Sequence, residues 1–106
     1  MIDEKAIDKA VHLLLAAAGP AAKVILFGSY ARRQADPRSD VDFLVVEREV
    51  KDRVTEMIRL NDVLAPLAIP VDVIVLSQER FDHWKDTPNT LAYRALKEGK
   101  VYEQVA

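Results

Sequence analysis

The sequence predicts a small α/β (α+β) fold in which helices pack on a three-stranded sheet, a single domain over residues 1–106. Three observations carry that expectation. Segments whose apolar residues recur at helical spacing alternate with short β-branched runs, in the order αβαβαβαα. The chain has 106 residues, 50% hydrophobic and 30% charged, which suits one core and leaves no room for two. No period of roughly 20–50 residues recurs, and no Pro-, Gly- or Ser-rich tract marks a linker.

The first helix is predicted from about residue 3, because Ile7, Val11, Leu14, Leu15 and Ala18 share one face; Gly19-Pro20 stops it. Lys23 to Phe27 is a β-rich run that ends at Gly28-Ser29, a tight connection into a short helical turn over Tyr30 to Ala35. Asp36-Pro37-Arg38-Ser39 is turn chemistry, and Asp40 to Val46 forms the second strand. Val54, Met57, Ile58 and Leu64 give an apolar helical face over Lys51 to Ala65, with Pro66 and Pro70 bracketing the exit. Val71 to Leu76 is the third strand. Ser77 caps a short helix to about Lys85, and Thr87-Pro88 opens a last helix that Gly99 ends.

Charge and composition exclude several functions. Fifteen basic against seventeen acidic residues leave a net charge of −2, so tight nonspecific binding to nucleic acid is not expected. With no cysteine there is no disulfide, thiolate metal site or thiol nucleophile, which fits a reducing compartment. The most apolar early stretch, Leu13 to Ala18, is far below the roughly 20 residues of a membrane span, and it follows acidic residues where a signal peptide is basic. The expected location is the cytoplasm, without a membrane partner.

The chemistry concentrates in three aspartates. Asp40 and Asp42 lie two apart on one strand, so both side chains take the same face at roughly 6.5–7 Å spacing. Asp72 interrupts another β-branched run at its second position. Two carboxylates at the start of an apolar strand repel each other unless a cation holds them, and oxygen ligands suit Mg²⁺ or Mn²⁺. If the two strands are neighbours, all three converge on a pair of metal ions. For any one aspartate alone a solvated strand end is the plainer reading, but Asp is depleted in strands and opens both later ones here. Gly28-Ser29 adds a phosphate-compatible bend, since glycine permits close backbone approach and the serine hydroxyl can bind an anionic oxygen.

Phe27-Gly28-Ser29 followed by Asp40-Val41-Asp42-Phe43 resembles the signature of the DNA polymerase β nucleotidyltransferase superfamily. Gly28-Ser29-Tyr30-Ala31-Arg32 through Ser39-Asp40-Val41-Asp42 is similar, more closely, to the minimal nucleotidyltransferases (MNT), the antitoxins of HEPN/MNT toxin–antitoxin pairs. The likeness extends past Asp72 to the tail Ala95 to Glu103 and so covers nearly the whole chain.

The resemblance implies a nucleotidyltransferase fold and transfer of a nucleotide from ATP to a hydroxyl, with pyrophosphate released. It implies Asp40, Asp42 and Asp72 as the catalytic, metal-holding set, with Asp72 helping to activate the acceptor. Gly28, Ser29 and Arg32 would bind the nucleotide. The implied partner is a HEPN-type ribonuclease whose tyrosine accepts the nucleotide; either that partner or a homo-oligomer completes a site this small. Such transfer needs charge neutralisation and in-line positioning, which two metals supply. One departure stands out: Arg33 occupies a place where related sequences commonly have glycine. Arg32, Arg33 or Arg38 assists pyrophosphate departure or docks an acidic partner, or forms only a solvated basic turn.

Two other functions are open on the same residues: an antitoxin that neutralises by contact with a vestigial site, and modification of a small molecule, which usually goes with an additional helical domain. His12 reads as a boundary residue, His83-Trp84 as a packing anchor or partner surface, and Tyr93 and Tyr102 as packing residues. Tyr30 either flanks the nucleotide or covers the sheet.

Overall fold

The computed structural model describes residues 1–104. In chain order the elements are α1 (Glu4–Ala18), β1 (Lys23–Phe27), α2 (Gly28–Ala31), β2 (Val41–Glu47), α3 (Arg53–Leu64), a 3₁₀ turn (Ala65–Leu67), β3 (Val71–Ser77), α4 (Gln78–Trp84), α5 (Leu91–Glu98) and β4 (Lys100–Glu103). The sheet is mixed and ordered β3-β2-β1-β4: β1 runs antiparallel to both its neighbours, and β2 pairs with β3 in parallel.

Sequence and structure part at several places, four of them for the following local reasons. The sheet has four strands rather than three, because the chain reverses straight after α5 and Lys100–Glu103 pairs along Lys23–Leu26. Helix α5 opens at Leu91 rather than at Thr87-Pro88: Asn89 adopts φ +70°, turning the chain, and the Thr90 hydroxyl accepts from the Tyr93 amide at 3.2 Å. The short helix follows β1 directly, at Gly28–Ala31 instead of Tyr30 to Ala35, since Gly28 takes φ +75° and turns the strand into the helix without a linker. The face of α3 is rotated from the expected one. Leu60 and Leu64 are buried, but Val54 and Ile58 are 66% and 58% exposed, and half-buried Asn61 occupies the inward position, donating to Met57 O and Val73 O.

The strands alternate cleanly, which divides the core into two. Val24, Leu26, Val41, Phe43, Val45, Val73 and Val75 face α1 and α3, where Ile7, Val11, Leu14, Leu60 and Leu64 meet them. Ile25, Phe27, Leu44 and Val46 face Phe81 of α4 and Ala92 and Ala95 of α5. Fully burying such aliphatic side chains contributes about 1.5–3 kcal/mol each. Asp42 shares the parity of Leu44 and Val46, so it emerges on the α4/α5 side, where the helical cover runs out.

Arg33 adopts φ +57°. The Gln34 amide donates to Ser29 O at 2.8 Å and the Arg33 amide to Tyr30 O at 3.3 Å, the paired bonds of a Schellman helix end with Arg33 in its left-handed position. That explains why glycine suits this place. Arg33→Gly is expected to raise stability by about 0.5–1 kcal/mol through relief of left-handed strain, read as a higher Tm in thermal melts.

At the far end of β2, Glu47 is 6% exposed. Burial pushes its carboxyl up to about 8, helped by a hydrogen bond to Glu56 and by that neighbour's charge. Glu56 is held down at about 2 by Arg59, whose Nε and Nη2 donate to it at 2.7 Å, and by Glu47. Glu47's raised value means that its contribution is complete below the ordinary 4.5 and is lost as pH climbs towards 8. Glu56's lowered value means that its contribution is complete above 4.5 and is lost as pH falls towards 2. Stability from this pair therefore peaks near pH 4.5. Glu47→Gln should make the decline in Tm between pH 5 and 8 shallower, and a decline as steep as the wild type's would contradict the assignment.

Candidate active site

The Asp42 side chain is placed by strand pairing on both sides. On one side Asp42 lies opposite Phe27 of β1, and on the other opposite Asp72 of β3. The register is fixed where the two strands begin, since the Val41 amide donates to Pro70 O at 2.9 Å. Neighbouring strands stand about 4.8 Å apart, so Asp42 and Asp72 are lateral neighbours on the same face. They share an open cavity of about 300 Å³ with Gly28, Ser29, Arg32, Leu91 and Arg94.

Asp40 is set differently. It precedes β2 instead of opening it, is exposed, and lies outside the residues lining that cavity. It is still near enough to be felt. Burial raises the Asp42 carboxyl above its usual range, and the charges of Asp72 and then Asp40 add to the rise; Arg94 and Arg32 oppose it. Two negative groups thus act on Asp42, and two guanidinium groups oppose them.

Gly28 forms the opposite wall. At φ +75° it is in the left-handed region, and a β-carbon there would collide with Oδ2 of Asp42. Absence of a side chain is what lets the bend pack against the carboxylate. The Gly28 amide donates to Glu98 Oε1 at 3.3 Å, and Arg32 Nη1 donates to the same oxygen at 3.0 Å. Ser29 is half-buried beside them.

The donors in this cavity are carboxylate and hydroxyl oxygens, which suit a hard divalent cation over a soft one. Among the described residues no group of three His, Cys, Asp or Glu could by itself hold a metal ion. Asp42 and Asp72 fit an open site instead, of the kind in which one or two carboxylates share a Mg²⁺ with substrate phosphates.

Other residues singled out in the sequence fall elsewhere. Arg38 belongs to the Asp36–Ser39 turn, where its amide donates to Asp36 Oδ1 at 2.7 Å. Tyr30 covers the sheet: it packs on the α1/α3 side, and its hydroxyl accepts from the Ile2 amide at 3.0 Å. Tyr102 packs against the same core. Tyr93 departs from the packing expectation, lining a groove on α5 with Lys97, whose Nζ lies 5.3 Å from the ring centre. His12 is exposed, and its ring Nδ1 lies 2.8 Å from Asp8 O. His83 and Trp84 stack edge to face at 4.6 Å beside Ser77, the opposite end of β3 from Asp72.

Arg94 and Glu98 escape a reading of the sequence. They are four apart on α5 with opposite charges, the pattern of an ordinary intrahelical pair. In the structure they part, Arg94 toward the aspartates and Glu98 toward Arg32.

The nucleotidyltransferase domain family matches residues 9–102 of the chain. The chain belongs to that family. A curated nucleotidyltransferase relative from Methanocaldococcus jannaschii, whose name gives it provisionally as a protein adenylyltransferase, is 34% identical over 95% of this chain and 98% of its own length. In fold, this nucleotidyltransferase is similar to a chain of a toxin–antitoxin complex solved with AMP-PNP, at 23% identity and TM-score 0.64, covering 97% of this chain and 75% of that one. It is similar also to a chain of the complex of a tri-AMPylated Shewanella oneidensis HEPN toxin with its MNT antitoxin, at 20% identity and TM-score 0.62, covering 97% and 74%.

Proposed function

We propose that this nucleotidyltransferase moves AMP from ATP to a tyrosine hydroxyl of a HEPN-type ribonuclease toxin and so acts, in the cytoplasm, as its antitoxin. The observation that carries the reading is the in-register pairing of Asp42 and Asp72 across from the Gly28 bend. The adenylyltransferase name of the relative that is 34% identical supports the reaction, and the AMPylated toxin of the S. oneidensis complex supports the acceptor.

In this reading Asp42 and Asp72, joined by Asp40, would hold two Mg²⁺ ions, with Mn²⁺ as a substitute. The bound metals supply charge neutralisation and alignment of the α-phosphate with the incoming oxygen. Gly28 lets the triphosphate reach the backbone, Ser29 offers a hydroxyl, and Arg32 and Arg94 place positive charge beside the departing pyrophosphate. The tyrosine oxygen forms a bond to the α-phosphorus as the bond to the bridging α–β oxygen breaks. The phenolic proton passes to Asp72, and pyrophosphate leaves. A cavity of about 300 Å³ walled by so few residues is open to completion by the partner or by a second copy of the chain.

Incubation with the partner toxin, Mg²⁺ and ATP labelled at the α-phosphate should place label on the toxin, and replacing the acceptor tyrosine by phenylalanine should prevent it. Neutralised toxin that carries no label would overturn the reading in favour of inhibition by contact.

A further inference from the structure

The carboxylate of Glu98 already occupies the donors assigned above to the triphosphate. Its Oε1 takes one hydrogen bond from a backbone amide, Gly28, and one from a guanidinium, Arg32, as a phosphate oxygen would. Arg32 is steadied from its other side by a bond from Nε to Gln34 Oε1 at 3.1 Å. The Arg32 side chain is 41% exposed and that of Glu98 21%. An ion pair this open to water adds little to folding. To an arriving triphosphate it matters more, since the same two donors cannot serve both anions and the two negative groups repel.

We propose that Glu98 is a resident stand-in for a phosphate oxygen, and that nucleotide enters by displacing it, so that Glu98 sets the affinity of the site. The proposal rests on the nucleotide reading given above. A second position for the carboxylate lies close by. Glu98 is one helical turn beyond Arg94, and both line the larger groove on α5, about 630 Å³, which adjoins the aspartate cavity through Leu91 and Arg94. Released from Arg32, Glu98 can swing into this groove, so nucleotide occupancy changes the charge presented along it. The side chain thereby has two alternative positions, and the ligand selects between them.

Isothermal titration of ATP and of inorganic tripolyphosphate, each with Mg²⁺, into the wild type, Glu98→Gln and Glu98→Ala tests this. Both substitutions remove the competing charge and are expected to tighten both ligands about tenfold. Tripolyphosphate isolates the effect on the phosphates from any effect on the base or ribose. Equal or weaker binding by the variants, with the wild type binding normally, would make Glu98 a positioning residue for Arg32; that overturns the displacement proposal and leaves the nucleotide reading intact. Failure of all three proteins to bind either ligand overturns both.

Discussion

Asp42→Asn is expected to lower nucleotide transfer by at least about a hundredfold while leaving the protein as stable as the wild type or more stable. The two effects have one cause. Asp42 is partly buried and lies beside Asp72, with Asp40 close by, so its ionised form is held at a cost and its carboxyl is raised above the usual range. A raised folded value for an acid means that folding favours the neutral form, so stability falls as pH rises through the carboxylate range. The amide keeps the size of the side chain and removes the charge, which relieves the repulsion and abolishes the cation ligand together. Rate assays paired with thermal melts at pH 7 check both halves. A variant that loses activity and also Tm would mean that Asp42 is a structural residue, and the carboxylate pairing would lose its catalytic meaning.

Gly28→Ala should destabilise the protein by about 2–4 kcal/mol. Two penalties add. An L side chain is strained at φ +75°, and the new methyl meets Oδ2 and Cγ of Asp42. Gly19 provides the contrast, because it sits at φ +100° and a methyl added there would meet nothing within 4 Å. Gly19→Ala therefore reports backbone strain alone, and the difference between the two variants in chemical denaturation reports the collision. Transfer should also fall in Gly28→Ala, since Asp42 must turn away to make room. Equal destabilisation by the two substitutions would contradict the close packing of the bend on the carboxylate.

Much of this site was legible in the amino-acid order because its residues break local rules. An aspartate inside Val-Asp-Phe-Leu-Val or Val-Asp-Val-Ile-Val contradicts strand preference, and that contradiction marks Asp42 and Asp72 before any pairing is known. Their parity follows from alternation, but their adjacency does not; it required the parallel pairing of β2 with β3. Asp40 shows the limit of counting along a strand, since the count assumes a strand that in fact begins one residue later, at Val41.

What stayed hidden obeys local rules while serving a distant contact. Arg94 and Glu98 have the spacing of a solvated helical pair, and only the docking of α5 sends them to different partners. Strand β4 is four residues long and pairs with β1, too short for alternation to declare itself. On α3, Val54 and Ile58 outweigh Asn61 in any count of apolar residues, yet Asn61 turns inward because its amide finds two carbonyls there. Glu47 likewise looks like the polar end of a strand, yet it is buried in the fold, where Glu56 and Arg59 act on its carboxyl.

The central claim is that Asp42 and Asp72 together hold the divalent cation on which transfer depends. Manganese binding followed by electron paramagnetic resonance, in the presence of ATP, tests it most directly on the wild type, Asp42→Asn and Asp72→Asn. The wild-type complex should give a bound manganese signal that either substitution removes, with both variants still folded by circular dichroism. Undiminished manganese binding in both variants would contradict the claim.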